Sequence, residues 1–434
     1  MNPEHPTTSK EISLDYVREV VSQFKIESIA DVELFQDRGN INLHTYTVRD
    51  LHGNEYLLQK LNTDVFADPG RVMTSMKDWI DAQAKYLASG KAPEWTVWEP
   101  ITLIPTSAGK IFLNVSQGLD GSVWRLMGKI SNSVTFKSLG EVIEPQARLK
   151  LAEEVGRGLA LNSDLTSKLS VQEIRPSLPG YRDTRGYLNQ FKSVLAGHVE
   201  SETAINFLPA DEELASATQN LYHLHGDIEK LKARKNQADV QELIALVLEN
   251  QEFAIRIVDA VESGEIRQTA IHGDTKIDNF LFCRRTGKVR SLVDLDTIMP
   301  FTWLADWGDM MRSLCNVAGE KETDLSRVTV DADVYEAVTR GFLSTAREIT
   351  PNEIALMPDA VQIISLELGL RFLTDYLRGD NYFAILPADP EDLNLIRAKV
   401  QLRLFQKLVE LDTWTRGCIA RNSAKISPES SATI

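Results

Sequence analysis

One segment of the chain, IHGDTKIDNFLFCRRTGKVRSLVDLDTIMP (271–300), carries Asp274, Asp278, Asn279, Asp294 and Asp296 among strongly apolar residues. Runs such as FLF and SLV read as buried strand, not as surface loop. A strand-like approach (269–271) leads into His272-Gly273-Asp274, and Asn279 follows five residues after Asp274. An apolar strand begins at Asn279, a turn spans 284–288, and a return strand spans 289–295. Such a hairpin sets Asp294 beside Asn279. An amide oxygen and a carboxylate then face one point, which suits Mg²⁺ and its octahedral oxygen preference. Asp274 is expected at the mouth of that point, off the cation, where it can orient or deprotonate an attacking hydroxyl.

The elements that must hold these groups fall into two regions. A short helix is expected over 17–24. Strands follow at 32–35, 43–48 and 56–61, the last two joined by a hairpin turn at Asp50-Leu51-His52-Gly53-Asn54. A helix opens at Asp68-Pro69 and runs to about residue 88, with Asp68 as N-cap and Pro69 in the first position. Strand character returns at 101–105, 111–115 and 123–130. Beyond residue 144 the chain reads as helical, at 146–161, 211–262, 335–347, 358–377 and 392–414, with the acidic hairpin inserted. The expected class is α+β and bilobal: a nucleotide-covering lobe over 1–130, a helical lobe with catalytic loop and acceptor site over 131–420, and a disordered tail over 421–434.

With 434 residues, more than one core is expected. The formal net charge of −15 argues against non-specific nucleic-acid binding and against an anionic membrane surface. Cys283, Cys315 and Cys418 are odd in number and form no CxxC, as expected of a reducing compartment without a thiolate zinc site. Cys283 and Cys315 read as small core residues. The N-terminus has no basic start or apolar core, and no apolar run is long enough to span a bilayer, so a cytoplasmic location is expected.

Asp-x-x-x-x-Asn followed by an apolar-flanked Asp is the catalytic-loop and metal-loop arrangement of protein kinases. HGDTKIDN with VDLD resembles the aminoglycoside phosphotransferase and choline kinase superfamily, whose fold is protein-kinase-like. EYLLQKLNTDVFADP, VDLDTIMPFTWLADWGDMMR and ELGLRFLTDYLRGDNYF look like its N-acetylhexosamine 1-kinase branch, in the same order, over roughly residues 30–415. The resemblance implies ATP and Mg²⁺ as cofactors, Asp274 as the catalytic aspartate, and Asn279 and Asp294 as metal ligands. It places Asp296 and Thr297 in a supporting or sugar-contacting role. For Asp306, bracing of the catalytic loop through the backbone is the preferred reading, and Asp309 with Arg312 can pair along one helix.

On the nucleotide side, the turn FQDRGNIN (35–42) sits where a phosphate-covering loop belongs; the resemblance to sugar kinases lets this turn also touch the sugar, and Asn40 is the candidate sugar contact. The resemblance aligns Gln59 with the usual third-strand lysine, so either Lys60 turns inward or the phosphates rely on Mg²⁺ and backbone amides. The helix over 68–88 offers Asp78 and Asp81 instead of a glutamate partner. Adenine is expected near Ile130-Ser131-Asn132. On the acceptor side, the resemblance puts Arg371 near the transferred phosphate and Tyr382 near the sugar. The alternative for Arg371 is an ion pair with Glu367, one helical turn away. Arg182-Asp183-Thr184 reads as a helix entry, with Asp183 or Thr184 as N-cap.

The resulting expectation is a kinase acting on the anomeric hydroxyl of an N-acetylhexosamine or related sugar. Two rivals are a kinase of an aminoglycoside, an amino alcohol or another sugar, and a catalytically inactive kinase-like binding protein.

Overall fold

A computed structural model describes residues 12–36, 41–115, 121–199 and 226–424. The chain opens with helix α1 (Leu14–Val21), capped by Ser13. Strands β1 (Ile29–Leu34), β2 (Thr45–Asp50) and β3 (Glu55–Lys60) follow, then helix α2 (Pro69–Ala88). The Asp68 side chain accepts the Arg71 N–H at 3.1 Å and Pro69 fills the first turn, as the Asp-Pro signal requires. Strands β4 (Leu103–Ile104), β5 (Leu113–Asn114) and β6 (Val123–Gly128) complete an antiparallel sheet in the order β1-β2-β3-β6-β4, with β5 also on β6.

Alternation along these strands divides the sheet into two faces. Leu58, Trp124 and Leu126 pack with Tyr46, Val48 and the α1 residues Val17, Val20 and Val21. Val123 and Met127 pack on the other face against Met73, Met76 and Trp79 of α2. That second cluster also contains Ala270, Leu295 and Ile298, so the α2 side of the sheet meets the acidic hairpin.

A short strand β7 (Ser133–Val134) leads to helices α3 (Pro145–Thr166) and α4 (Thr184–Leu195). Where one charged helical stretch is expected over 211–262, the described part is broken into α5 (Ile228–Lys235), α6 (Ala238–Glu249), α7 (Gln251–Ala254) and α8 (Arg256–Glu262). Then come β8 (Thr269–Ile271), β9 (Phe280–Cys283), β10 (Val289–Leu292) and β11 (Met299–Phe301). These form two small antiparallel sheets, β10-β9-β7 and β11-β8.

Helices α9 (Trp303–Cys315), α10 (Ala332–Leu343), α11 (Pro351–Arg378), α12 (Leu393–Glu410) and α13 (Asp412–Ser423) build the rest. The stretch 392–414, expected as one helix, breaks at Leu411. The last helix runs to Ser423, three residues into the expected tail. Of the cysteines, Cys315 and Cys418 are buried, whereas Cys283 is half-buried. Among the described residues, no helix is long and apolar enough to cross a membrane.

Helices α3 and α10 approach closely because each presents a glycine to the other's backbone. A Cβ at Gly341 would lie 2.0 Å from the Glu153 carbonyl oxygen, and one at Gly156 would lie 2.2 Å from that of Val338. Gly341→Ala should therefore force the helices apart and cost about 1–3 kcal/mol in denaturant unfolding. An unchanged unfolding midpoint would contradict this packing.

Candidate active site

The catalytic loop is held by its own backbone. His272 and Gly273 each donate an amide N–H to the Asp306 carboxylate at 2.8 Å, from β8 to the first turn of α9. The Thr275 hydroxyl donates to the Asp306 carbonyl at 2.6 Å. Asp306 therefore braces the loop, as expected, and burial pushes its carboxyl up. Bonds to a charged acceptor are worth roughly 1.5–3 kcal/mol each. On the opposite side, the Gly273 carbonyl accepts from Arg182 Nη2 at 2.9 Å and from the Tyr181 hydroxyl at 3.2 Å. The His272 imidazole lies 2.9 Å from the Val293 carbonyl through Nε2, and its Nδ1 accepts the Asp274 N–H at 3.3 Å. One ring thus joins the loop before Asp274 to the residue before Asp294.

The hairpin does what its spacing implies. Leu292 pairs with Phe280, and the Val293 N–H donates to the Asn279 carbonyl at 2.9 Å. Asp294 follows in the left-handed conformation, at φ +66°. Asn279 turns its amide nitrogen to the Asp274 carbonyl (2.8 Å) and carboxylate (3.2 Å), which leaves its amide oxygen as a donor for a cation. Crowding by the cleft walls and repulsion from Asp296 and Asp274 push the Asp294 carboxyl up, to about 6. Solvent still reaches this group, so the like charges are the part a cation would relieve.

No group of three or more His, Cys, Asp or Glu among the described residues forms a metal cluster. An amide oxygen plus one carboxylate instead fits Mg²⁺, which usually takes one or two protein ligands and completes its shell with phosphates and water.

Lys276, inside the same motif, was not singled out by sequence reasoning. Its ammonium lies 3.0 Å from Asp274 Oδ2. Burial opposes its charge, but Asp274, Asp278 and Asp294 outweigh that and hold it protonated. A lysine two residues beyond Asp274, the expected catalytic residue, was the available signal.

Register decides which third-strand residue faces this cleft. Gln59 pairs with Arg125 and Lys60 with Trp124. Gln59 Oε1 accepts from Arg125 Nε at 3.0 Å and from Nη2, and its Nε2 donates to the Thr45 hydroxyl at 3.1 Å. Arg125 Nη1 reaches Asp296, whose other oxygen accepts from Asn42 Nδ2 at 2.6 Å. Lys60 shares the opposite face with Trp124, on the α1 side, so the inward turn considered for it does not occur.

Neither Asp78 nor Asp81 supplies the missing glutamate: Asp81 pairs with Lys77 on the surface, and Asp78 is half-buried with its carboxyl raised by burial. Ser131 lies in the connection after β6, and its carbonyl accepts from Arg290 at 2.7 Å. Asn40 lies outside the described residues. Thr297 donates its hydroxyl to the His272 carbonyl at 2.7 Å, a further brace on the loop.

Arg371, on α11, does not pair with Glu367. Glu367 instead takes Arg182 at 3.4 Å and the Thr184 hydroxyl. The Arg371 guanidinium lies among the rings of Tyr187, Tyr181, Phe383 and Tyr382, at 4.7, 5.2, 5.4 and 5.8 Å. Tyr181 also touches the Gly273 carbonyl, so this cage abuts the catalytic loop. A recess there is lined by Tyr187, Arg371, Asp375, Arg378 and Tyr382 among others. Asp375 is spent on the backbone N–H groups of Asn381, Tyr382 and Phe383 and on Asn394. The buried Tyr187 hydroxyl has no hydrogen-bond partner among the described residues.

Arg182 is buried with φ +65°, and Asp183 occupies the N-cap position of α4. Arg182 also reaches Asp309 at 3.2 Å, and Asp309 takes Arg312 at 2.9 Å. Burial opposes the charge on Asp309, but the two guanidinium groups win and hold it down, to about 2.

Gly273 is the tightest point of the site. It has φ +85°, and a Cβ there would lie 2.7 Å from the Thr297 carbonyl oxygen. Gly273→Ala should cost about 1–3 kcal/mol in unfolding free energy and remove turnover by displacing Asp274. A variant with a wild-type melt and full turnover would contradict the clamp.

Comparison with known proteins bears on the fold. Three solved structures share the fold: a microcompartment-associated aminopropanol kinase, an amicoumacin kinase in complex with AMP-PNP, Ca²⁺ and Ami, and an aminoglycoside phosphotransferase from Alicyclobacillus acidocaldarius. The first is 15% identical with a TM-score of 0.54, covering 93% of this chain and 99% of that one. The second is 13% identical with a TM-score of 0.51, covering 91% and 94%. The third is 14% identical with a TM-score of 0.50, covering 97% and 98%. The architecture is the protein-kinase-like α+β fold. The model of the phosphotransferase enzyme family matches residues 37–327, which include strands β2 to β6 of the sheet, the loop after β8 and the acidic hairpin, and the chain belongs to that family.

Proposed function

We propose that this phosphotransferase is an ATP-dependent sugar kinase that phosphorylates the anomeric hydroxyl of an N-acetylhexosamine or related sugar. The choice of sugar and of C1 rests on the resemblance of the DLDT-x-MP and RFLTDYL-x-GD-x-YF stretches to the N-acetylhexosamine 1-kinase branch. The observation that carries the acceptor class is the filled cage. Aromatic cages recognise ammonium groups when they are empty. Here the cage already holds Arg371, and the nearby carboxylate of Asp375 is consumed by backbone donors. A cationic amino alcohol or aminoglycoside would meet a positive charge, whereas a neutral sugar meets aromatic faces, a guanidinium and the unpartnered Tyr187 hydroxyl. Tyr382 borders the same recess, and Asn40 and Thr297 remain candidate sugar contacts.

In this reading Asp274 accepts a hydrogen bond from the acceptor hydroxyl and takes its proton as the oxygen attacks the γ-phosphorus, while the bond from the γ-phosphorus to the β,γ-bridging oxygen breaks and ADP leaves. Lys276, held beside Asp274, and Arg371 stabilise charge on the transferred group. Asn279 and Asp294 hold Mg²⁺, which when bound neutralises the nucleotide phosphates. Gln59 serves the nucleotide side through Arg125, and adenine lies by the Ser131 connection. Phosphoryl transfer asks the protein mainly for positioning and electrostatics, and the clamped loop provides both.

The test is nucleotide consumption on an acceptor panel. N-acetylglucosamine or N-acetylgalactosamine should be turned over, and aminopropanol, kanamycin and the C1 methyl glycosides should not. Asp274→Asn should lower turnover by about 100-fold or more while calorimetry still shows Mg²⁺-dependent ATP binding. Turnover on a cationic acceptor with none on the sugars would overturn the assignment.

A further inference from the structure

Arg125 is a charged residue within the otherwise apolar strand VWRLMG, and it is 1% exposed. Its partners come from across the fold. Nε and Nη2 hold Gln59 on β3, Nη1 holds Asp296, and Met76 of α2 lies 3.7 Å away through its sulfur. Asp296 is 4% exposed and has both carboxylate oxygens engaged, by Arg125 and by Asn42. Asn42 in turn accepts the Asn62 N–H at 2.9 Å. The metal turn is therefore anchored to β3, to β6 and to the segment before β2, all in the sheet region.

We propose that Arg125 is a positioning residue for the cation site: through Asp296 it fixes the turn that aims Asp294 at Asn279. Asp296 is assigned no ligand role, because each of its oxygens already accepts a hydrogen bond, from Arg125 and from Asn42. Its charge would repel Asp294, two residues away, and the guanidinium offsets that repulsion. The bridge also accounts for Gln59. A lysine there would face Arg125 directly across β6, whereas a neutral amide accepts from its fork and leaves the positive charge for Asp296. The tie between sheet and metal turn is thus made by a strand arginine with no acid from α2. A buried ion pair that only fastened the two regions would affect stability and leave metal binding alone.

The inference rests on the Asn279–Asp294 cation site proposed above, and the experiment separates the two. Calorimetry on the full chain measures AMP-PNP binding as a function of Mg²⁺ for wild type, Arg125→Lys, Gln59→Met and Asp294→Ala. Arg125→Lys keeps the charge and loses the fork, so Mg²⁺ dependence should weaken by about 10- to 100-fold. The acceptor KM should stay near wild type, since Arg125 does not line the recess around Arg371. Gln59→Met leaves the Arg125–Asp296 pair in place and should shift in the same direction, which keeps the test open if Arg125→Lys fails to fold. A lowered melting temperature with wild-type Mg²⁺ dependence in both variants would overturn the inference. If Asp294→Ala also leaves Mg²⁺ dependence unchanged, the cation site lies elsewhere and both readings fall. If only Asp294→Ala changes it, the positioning role alone falls.

Discussion

The site depends on the clamping of one residue's backbone, that of Gly273. The N–H of Gly273 is taken by Asp306 and its carbonyl by Arg182 and Tyr181, while Thr297 leaves no room for a side chain on its Cα. These partners come from three elements: Asp306 from the helix after β11, Arg182 and Tyr181 from the loop before α4, and Thr297 from the turn that carries Asp296. Asp274 comes next in the chain, so the clamp places its backbone, while Asn279 and Lys276 hold its carboxylate. Acceptor and nucleotide groups are then arranged around a fixed carboxylate, as a reaction governed by positioning requires.

Charge balance around that carboxylate is distributed, not paired. Asp274, Asp294 and Asp296 converge, with Lys276 answering the first and Arg125 the last. Asp294 forms no ion pair among the described residues, and the pull of Lys276 and Arg125 is outweighed by burial and by Asp296 and Asp274, which is the electrostatic reason to expect a cation there. Behind the loop, Arg182, Asp309 and Arg312 alternate in sign through the buried interior, and Arg182 also reaches Glu367. Removing one member would strand a buried charge, a loss of about 3–5 kcal/mol in comparable cases. Arg371 forms no ion pair among the described residues, and aromatic faces receive it.

Local signals were legible in the sequence, and distant pairings were not. The Asp68-Pro69 start, the alternation in β2, β3 and β6 and the hairpin that sets Val293 on Asn279 are written in neighbouring residues. So was the bracing role of Asp306, from its place in ADWGDMMR. Whether Gln59 or Lys60 faces the cleft needed the pairing of β3 with β6, which no local pattern specifies. Arg125 was overlooked because its partner Asp296 lies 171 residues away, although a lone arginine in VWRLM was itself a signal. Arg371 and Glu367 have ideal helical spacing, yet Arg182 arrives from another element and takes the glutamate. The break at Leu411 also followed tertiary packing, since the sequence there has no glycine or proline.

The account joins a clamped Asp274 to an acceptor recess whose cationic centre is the protein's own arginine. Phosphorus NMR of the product formed from ATP and N-acetylglucosamine tests it most directly, because the spectrum reports which oxygen was phosphorylated. A sugar 1-phosphate, its phosphorus coupled to the anomeric proton, is the predicted result. A 6-phosphate signal would contradict the anomeric assignment and leave the chain a phosphotransferase with a different acceptor oxygen.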